Sequence, residues 1–293
     1  MMTEWLERPM PKFVMAPSFV AILIFVYGFI GWTAWVSFTK SRLLPKYDIV
    51  GTIQYDRLFQ SPRWETAINN LYVFGILFIV ISMFLGLVLA IFLDQKIRVE
   101  GVIRTIYLYP MALSMIVTGT AWKWILNPGL GIEATVKKWG YENFTFDWLV
   151  NPDMAIYTVV LAGVWQSSGF VMALFLAGLR SVDEEIIKAA QVDGIPTWRI
   201  YSAIIIPSMA PIFLSAFIVL SHLAIKSFDL VIALTAGGPG TSSDMPAVFM
   251  TQMAFHRSEI GLASSSAVMM FLTILAIIVP YLYSELKRQD ASR

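Results

Sequence analysis

The sequence predicts an all-α membrane protein with six transmembrane helices. Hydrophobic residues make up 57% of its 293 residues and charged residues only 14%, whereas charged residues are about a quarter of a typical soluble domain. Several apolar runs reach the length of about 20 residues that a helix needs to cross a bilayer. None shows the alternation of apolar and polar residues that is typical of a membrane barrel, so helices are the predicted spanning elements.

The rest of the composition argues against several kinds of chemistry. The chain has no cysteine and only two histidines, His222 and His256, so thiolate metal sites, cysteine nucleophiles and His-based metal clusters are not expected. The formal net charge of +1 provides no general attraction to nucleic acid. An intramembrane enzyme would need convergent nucleophilic, basic or metal-binding groups. We therefore expect a non-catalytic function, carried out in the membrane or through its loops.

Six apolar segments are predicted to span the membrane. The first is longer than the apolar core of a signal peptide, so we expect it to remain attached. Several segments contain a proline, which inside a membrane indicates a kink packed against neighbouring helices. The six segments cover residues 13–38, 71–93, 102–126, 154–179, 208–235 and 261–284.

The even number of spans places both termini on the same side of the membrane. Lysine and arginine are denser in the loops on that side than in the longer loops opposite, which predicts cytoplasmic termini. We expect a cytoplasmic N-terminal segment at 1–12, a six-span domain at 13–284 and a cytoplasmic C-terminal tail at 285–293. The longest polar insertions, near 39–70 and 127–153, are too short to bury a core of their own.

A charged segment between the fourth and fifth spans, residues 180–207, is predicted to form two short helices at the cytoplasmic surface. Ser181 and Glu184 have the spacing of a capping box, which predicts a helix that begins there. Gly194 can adopt the left-handed conformation that ends a helix, and Pro196 suits the first turn of a second helix. The segment is either an interfacial loop without a partner or an element that docks into a cleft on a cytoplasmic protein.

This segment resembles the EAA loop of binding-protein-dependent ABC transporter permeases. The matching residues are 188–190 (KAA), Gly194 and 204–207 (IIIP), with Lys188 in place of the leading glutamate of the motif. The similarity extends over essentially the whole chain, and within the family the sequence looks most like carbohydrate-uptake permeases for glucose and mannose. The other matching segments are 108–110 (LYP), 124–127 (WILN), 228–230 (FDL) and 234–239 (LTAGGP).

The resemblance implies the type I ABC importer permease fold, in which the EAA loop carries the coupling helix. It also implies a second, similar permease subunit in a heterodimer, two cytoplasmic ATPase subunits that hold ATP and Mg, and an extracytoplasmic sugar-binding protein. The chain itself has no G-x-x-x-x-G-K-[ST] phosphate loop and is expected to bind no cofactor. We refer to residues 180–207 as the coupling loop. The residues assigned to ATPase coupling are Glu185, Lys188, Ala189, Ala190, Asp193, Gly194 and Pro207.

Polar and aromatic residues in the fourth and fifth spans are candidates for sugar binding. Sugars are held by polar groups and aromatic faces, and polar groups inside a membrane usually face a cavity. In maltose-type members of the family, positions in these two spans contact the sugar. The alternatives are packing for Trp165 and His222, and an ion pair within one helix for Lys226 and Asp229. The candidate sugar contacts are Trp165, Gln166, Ser167, His222, Lys226 and Ser227.

The predicted function is ATP-driven import of a sugar across the cytoplasmic membrane of a bacterium or archaeon. The resemblance favours a monosaccharide such as glucose or mannose, and an oligosaccharide or a polyol is the alternative substrate. An ion-coupled secondary transporter is the alternative class of protein. Such a transporter is expected to show inverted repeats or broken helices with ion ligands at mid-depth, and neither is evident in the sequence.

Overall fold

The computed structural model describes residues 10–44, 46, 48–95 and 98–291. In this part of the chain the structure is helical, apart from loops, turns and one isolated antiparallel bridge between Thr39 and Ile49. The all-α prediction is confirmed. The helices are α1 Met10–Ile22, α2 Phe29–Ser37, α3 Ile53–Phe59, α4 Pro62–Asp94, α5 Glu100–Ala112, α6 Met115–Ile125, α7 Ile132–Lys138, α8 Ala155–Leu179, α9 Glu184–Val192, α10 Thr197–Ser208, α11 Ala210–Ile225, α12 Asp229–Leu234, α13 Pro246–Thr251 and α14 Ile260–Ala291.

One compact unit combines Met1–Ser61 with Phe249–Phe271. A π-helical turn joins α1 to α2 in this unit. The backbone N–H of Gly261, at the start of α14, donates to the carbonyl of Ser41 in the following loop at 2.9 Å. Gln54 Nε2 donates a hydrogen bond to the carbonyl of Thr39 at 2.9 Å. A Cβ atom on Gly261 would lie 2.5 Å from the same carbonyl oxygen, so this close approach requires glycine.

The other unit, Pro62–Val248 with Leu272–Arg293, is built around α8. The apolar stretch of α8 is 72% buried, and α8 packs against α4, α5 and α11. Glycines allow the helix backbones to approach, since a Cβ atom on Gly169 would lie only 1.8 Å from the Tyr107 carbonyl oxygen of α5. Small residues at helix contacts are the usual means by which helices associate in a membrane.

Four helices in the described residues are long and apolar enough to cross a membrane. The number reaches six if each of two bent helix pairs counts as one span, in agreement with the six predicted spans. The bounds differ in places, because polar residues near an interface can extend a helix beyond its apolar run. The second span, placed at 71–93 from its apolar run, lies within the 33-residue helix α4 that begins at Pro62.

The predicted third span, 102–126, is broken into two helices, where the proline at 110 predicts only a kink. Helices α5 and α6 meet at an angle of 101°, with Leu113 and Ser114 between them in extended conformation. The Ser114 hydroxyl accepts a hydrogen bond from the backbone N–H of Val117 at 3.3 Å, which caps the start of α6. The Ser114 side chain therefore stabilises a break that is not visible in the apolar pattern of the sequence.

The predicted fifth span, 208–235, is likewise divided between separate helices, where the proline at 211 predicts only a kink. Helices α10 and α11 meet at 66° around Met209, and Pro211 in the first turn of α11 has no N–H to continue the helical hydrogen bonds. The remaining residues form the separate helix α12, which packs against α6. At that contact a Cβ atom on Gly119 would lie 2.7 Å from the Cβ of Ala233.

The two predicted terminal segments lie partly outside the described residues. Residues 1–9 of the N-terminal segment 1–12 are outside them, and α1 begins at Met10. The predicted tail, 285–293, is helical as far as Ala291 because α14 continues through it. The last two residues lie outside the described part of the chain.

Candidate functional site

The coupling loop forms the expected helix-turn-helix, but its first helix has a different cap. Asp183 is the N-cap of α9, and its Oδ1 accepts a hydrogen bond from the backbone N–H of Glu185 at 2.8 Å. The predicted capping box at Ser181 is wrong, because the Ser181 hydroxyl donates to the carbonyl of Gly178 at 2.7 Å. Ser181 thus completes the last turn of α8, whose terminal carbonyls need donors, and Asp183 takes the cap of the next helix.

The turn between α9 and α10 depends on Gly194, as the sequence predicts. Gly194 has a φ of +74°, and the backbone N–H of Ile195 donates to the carbonyl of Ala190 at 3.1 Å. This left-handed residue with a bond across the helix end is the usual glycine terminator. Pro196 is the N-cap of α10 in extended conformation, not its first-turn residue, because α10 begins one residue later.

Large apolar side chains are exposed on the coupling loop. Val192 is 87% exposed and Trp198 is 66% exposed. In the same segment, Ala190 is buried in the chain's own core. Ala190 is therefore not part of the small exposed surface that the sequence predicts, whereas Ala189 is exposed. Exposed large apolar groups on one short segment are typical of a protein or membrane contact. The sequence did not point to them because the small alanines at 189 and 190 drew the prediction.

Charged residues of α9 remain in solvent. Lys188 Nζ donates to Glu184 Oε2 at 2.9 Å, and this hydrogen bond raises the pKa of Lys188. Both side chains are largely exposed, so the pair contributes little to stability. Glu185, Asp193 and Pro207 are exposed as well. The residues assigned to coupling, apart from Ala190, are thus accessible to a partner.

Polar contacts join the base of the coupling loop to α4 and α5. Tyr201 Oη donates to Asp94 Oδ2 at 2.8 Å, and Arg180 Nε lies 3.9 Å from Asp94 Oδ1. Arg180 Nη2 also donates to Glu100 Oε1 at 2.8 Å. The sequence reasoning missed this group because its members are far apart in the chain, although each stands at a helix end or within the loop.

The candidate sugar contacts on α8 divide between an exposed aromatic residue and buried polar residues. Trp165 is 40% exposed, and its ring meets the edge of Trp122 with centroids 5.9 Å apart. Gln166 is 4% exposed, and its Nε2 donates to the carbonyl of Leu113 at 2.8 Å, at the break between α5 and α6. Ser167 is buried beside it. Gln166 therefore supports the bent span directly.

The candidate contacts from the predicted fifth span have other neighbours. His222 lies on α11 beside isoleucines of α11 and α14, and Lys226 is exposed in the C-cap position of α11. Ser227 is buried just after α11, and its hydroxyl donates to the carbonyl of Ala224 in the last turn of that helix at 2.8 Å. The interpretation of Lys226 and Asp229 as a pair within one helix is wrong, because Asp229 begins α12.

A buried carboxylate holds the Gly-Gly-Pro loop, residues 235–244, to the beginning of α4. Asp244 is fully buried, and its Oδ2 accepts a hydrogen bond from Arg63. Asn70 Nδ2 donates to the Asp244 carbonyl at 2.9 Å. Burial raises the pKa of Asp244, and Arg63 opposes the rise. A Cβ atom on Gly237 would lie 2.5 Å from Asp244 Oδ1, so the loop closes tightly over the carboxylate.

This chain is similar to known transport proteins over nearly its whole length. Residues 82–288 match the sequence family described as binding-protein-dependent transport system inner membrane component. A probable ABC transporter permease protein of Pyrococcus horikoshii is 38% identical over 276 residues, which cover 94% of each chain. The xylose/arabinose import permease protein XacH of Haloferax volcanii is 36% identical over 274 residues, covering 92% of this chain and 86% of that protein.

A solved structure has the same fold. It is the crystal structure of a bacterial alginate ABC transporter in complex with an alginate pentasaccharide-bound periplasmic protein. One of its chains superposes with a TM-score of 0.82 and 18% sequence identity, covering 94% of both chains. At this identity the likeness concerns the fold, and it agrees with the type I importer fold expected from the sequence.

Proposed function

Because the chain belongs to the family of binding-protein-dependent transport system inner membrane components, we propose that it imports a monosaccharide along a pathway shared with a second permease subunit. The chain is a non-catalytic, multi-pass permease subunit of a sugar ABC importer in the inner membrane. The observation that carries the assignment to an ATP-driven importer is the coupling loop, because its helix-turn-helix presents exposed apolar side chains.

The choice of a monosaccharide is supported by one of the relatives. The xylose/arabinose permease is 36% identical over most of the chain, which is far closer than the alginate transporter at 18%. Glucose and mannose are the substrates that the sequence motifs favour, and xylose and arabinose join them on account of this relative. An oligosaccharide is the second candidate, because the alginate transporter has the same fold.

The coupling loop is proposed to dock into a cleft on a cytoplasmic ATPase subunit. Val192 and Trp198 would be buried there, since exposed apolar side chains gain free energy when a partner removes them from water. ATP and Mg are held by the two ATPase subunits. Closure of these subunits on ATP supplies the difference in free energy between the inward-open and outward-open states.

The sugar is proposed to pass along the exposed face of α8. Tyr157, Leu161 and Trp165 are partly exposed there at helical spacing, and Trp122 extends the aromatic surface. Aromatic faces bind the C–H surfaces of sugars, and nearby polar groups fix their orientation. The polar candidates on α8 and α11 are retained in the proposal, with Gln166 acting mainly through the position of the broken span.

The remaining partners and the orientation are part of the same proposal. The second permease subunit is similar but not identical, so the pair is a heterodimer. An extracytoplasmic sugar-binding protein delivers the sugar, as the description of the family implies. Both termini lie in the cytoplasm, because lysine and arginine are denser on their side of the membrane.

The experiment that tests the proposal is competition for uptake in inside-out and right-side-out membrane vesicles. The complex is first purified in mild detergent, where ATPase subunits should co-purify with the chain. Uptake of labelled xylose, arabinose, glucose and mannose is then measured. Unlabelled samples of these monosaccharides are compared with maltose, trehalose and sorbitol as competitors. Effective competition by a single monosaccharide supports the proposal. Competition by disaccharides alone would instead favour the oligosaccharide, and competition by sorbitol alone would favour a polyol.

A further inference from the structure

Asp94 contacts the coupling loop at two points, its first residue and its second helix. Arg180 is the first residue of the loop and the C-cap of α8, and Tyr201 lies in the second helix, α10. Both side chains converge on the Asp94 carboxylate, with Tyr201 Oη 2.8 Å from Oδ2 and Arg180 Nε 3.9 Å from Oδ1. Because Asp94 is the last residue of α4, the loop is tied at two points to the end of that helix.

The energies of these contacts favour a role in positioning. The side chains of Arg180 and Asp94 are 44% and 24% exposed, and ion pairs that are open to solvent contribute little to stability. The hydrogen bond from Tyr201 is different, because it joins a half-buried phenol to a carboxylate and bonds to charged groups are the stronger class. The arrangement therefore fixes where the loop lies more than it stabilises the fold.

Helix α4 is suited to carry a displacement away from the loop. It is a single helix of 33 residues, which corresponds to a length of about 50 Å at 1.5 Å per residue. Near its beginning, Arg63 and Asn70 hold Asp244 of the Gly-Gly-Pro loop. One rigid helix thus has polar attachments to the coupling loop at its end and to residues 235–244 at its beginning.

We propose that Asp94, Arg180 and Tyr201 form a coupling clamp, a set of positioning residues that makes α4 follow the coupling loop when the ATPase subunits close. The clamp rests on the proposed function, because the loop moves only when it is docked to an ATPase. The movement of α4 is then transmitted to the Gly-Gly-Pro loop at the other end of the helix. Loss of the clamp would let the coupling loop move without α4.

A distance measurement tests whether the loop and α4 move together. The chain contains no cysteine, so Ser202→Cys and Phe84→Cys introduce one spin-label site each on α10 and on α4, at positions that are exposed and lie outside the proposed ATPase contact. Pulsed electron resonance on the assembled importer should give the same distance without nucleotide and with trapped ATP. With Tyr201→Phe added, the distance should shift or broaden when ATP binds. A shift of the same size without Tyr201→Phe would overturn the clamp.

A transport measurement tests the functional consequence. Tyr201→Phe removes one hydroxyl and keeps the ring, and we expect about a tenfold rise in ATP hydrolysed per sugar taken up, the factor expected for loss of a hydrogen bond to a charged group. The probe is labelled glucose or xylose, whichever the unmodified importer takes up faster. Asp94→Asn keeps an acceptor oxygen for Tyr201, so its effect should be smaller. Tyr27→Phe, at a tyrosine 63% exposed, is the matched control.

The outcomes separate the clamp from the proposed function. ATP-dependent uptake by the unmodified importer, with an unchanged ratio in Tyr201→Phe, would contradict the clamp alone. An equal loss of ATP hydrolysis and uptake in Tyr201→Phe, with fewer assembled complexes, would also contradict it, because that result indicates a structural role. Absence of ATP-dependent uptake by the unmodified importer would contradict the proposed function itself, and the clamp with it.

Discussion

Gly194→Asp is expected to abolish transport while the protein remains folded in the membrane. The residue forms the turn of the coupling loop, and a Cβ atom there would meet nothing within 4 Å. The substitution therefore causes no clash within this chain. Its effect should arise where the turn meets the ATPase, because a carboxylate would be placed into a contact that contains exposed apolar side chains such as Val192.

The magnitudes separate the effect on folding from the effect on docking. The φ of +74° costs an ordinary residue roughly 1–2 kcal/mol, and less for Asp or Asn. A negative charge at a helix C-terminus adds about 0.3–1 kcal/mol. By contrast, burial of an unpaired charge at the docking surface costs about 3 kcal/mol or more, which weakens binding roughly a hundredfold. Docking should therefore fail well before folding does.

The assay compares Gly194→Asp with Gly194→Asn, which has nearly the same size and tolerates the same backbone conformation. Co-purification of ATPase subunits in mild detergent and ATP-driven uptake in vesicles are measured for both variants. We expect Gly194→Asp to lose both, and Gly194→Asn to retain most of each. Normal assembly and transport by Gly194→Asp would refute the docking assignment. An equal loss in Gly194→Asn would show that strain or size, not charge, is responsible.

Three further substitutions test the structure around the site. Arg63→Ala should lower the free energy of unfolding of the purified protein by about 3 kcal/mol at pH 7, because it leaves the buried Asp244 carboxylate unpaired. Part of the lost stability should be recovered on acidification. A carboxyl with a raised folded-state pKa contributes stability at low pH, and this contribution is lost as the pH rises through that pKa. An unchanged melting temperature would contradict this. Gln166→Ala should cost about 1–3 kcal/mol by leaving the Leu113 carbonyl without its donor and should weaken sugar uptake; unchanged affinity for every sugar carried would remove Gln166 from the proposed site. Gly169→Val should prevent α5 and α8 from packing, since even a Cβ would lie 1.8 Å from a backbone oxygen; a normal yield of folded protein would contradict the close approach.

The spans could be predicted because the bilayer imposes a simple rule on the sequence. Long apolar runs predicted six spans, a number that the described residues reach when each bent helix pair counts as one span, but the breaks in the third and fifth could not be read from apolarity. At the third span, Gln166 supplies a hydrogen bond to Leu113 from 53 residues away, and a sequence pattern does not reveal such a partner. The broken helices also remove one argument against a secondary transporter, so the class of protein rests on the family match.

The coupling loop was predictable where its structure depends on neighbouring residues. Gly194 ends α9 because of its own backbone freedom. The cap at Asp183 was missed because Ser181 had two possible uses, and the end of α8 needed its hydroxyl. The groups around Asp94 and Asp244 were beyond sequence reasoning, since their partners are separated by 107 and 181 residues.

ATP-driven monosaccharide import is tested by sugar uptake into proteoliposomes that contain the purified importer with its binding protein. Labelled glucose, mannose, xylose and arabinose are supplied outside, with the binding protein, and the vesicles contain either ATP and Mg or a non-hydrolysable analogue. A monosaccharide should accumulate only with ATP, and none should accumulate when a proton gradient is applied without ATP. Accumulation driven by the proton gradient alone would contradict ATP-driven import.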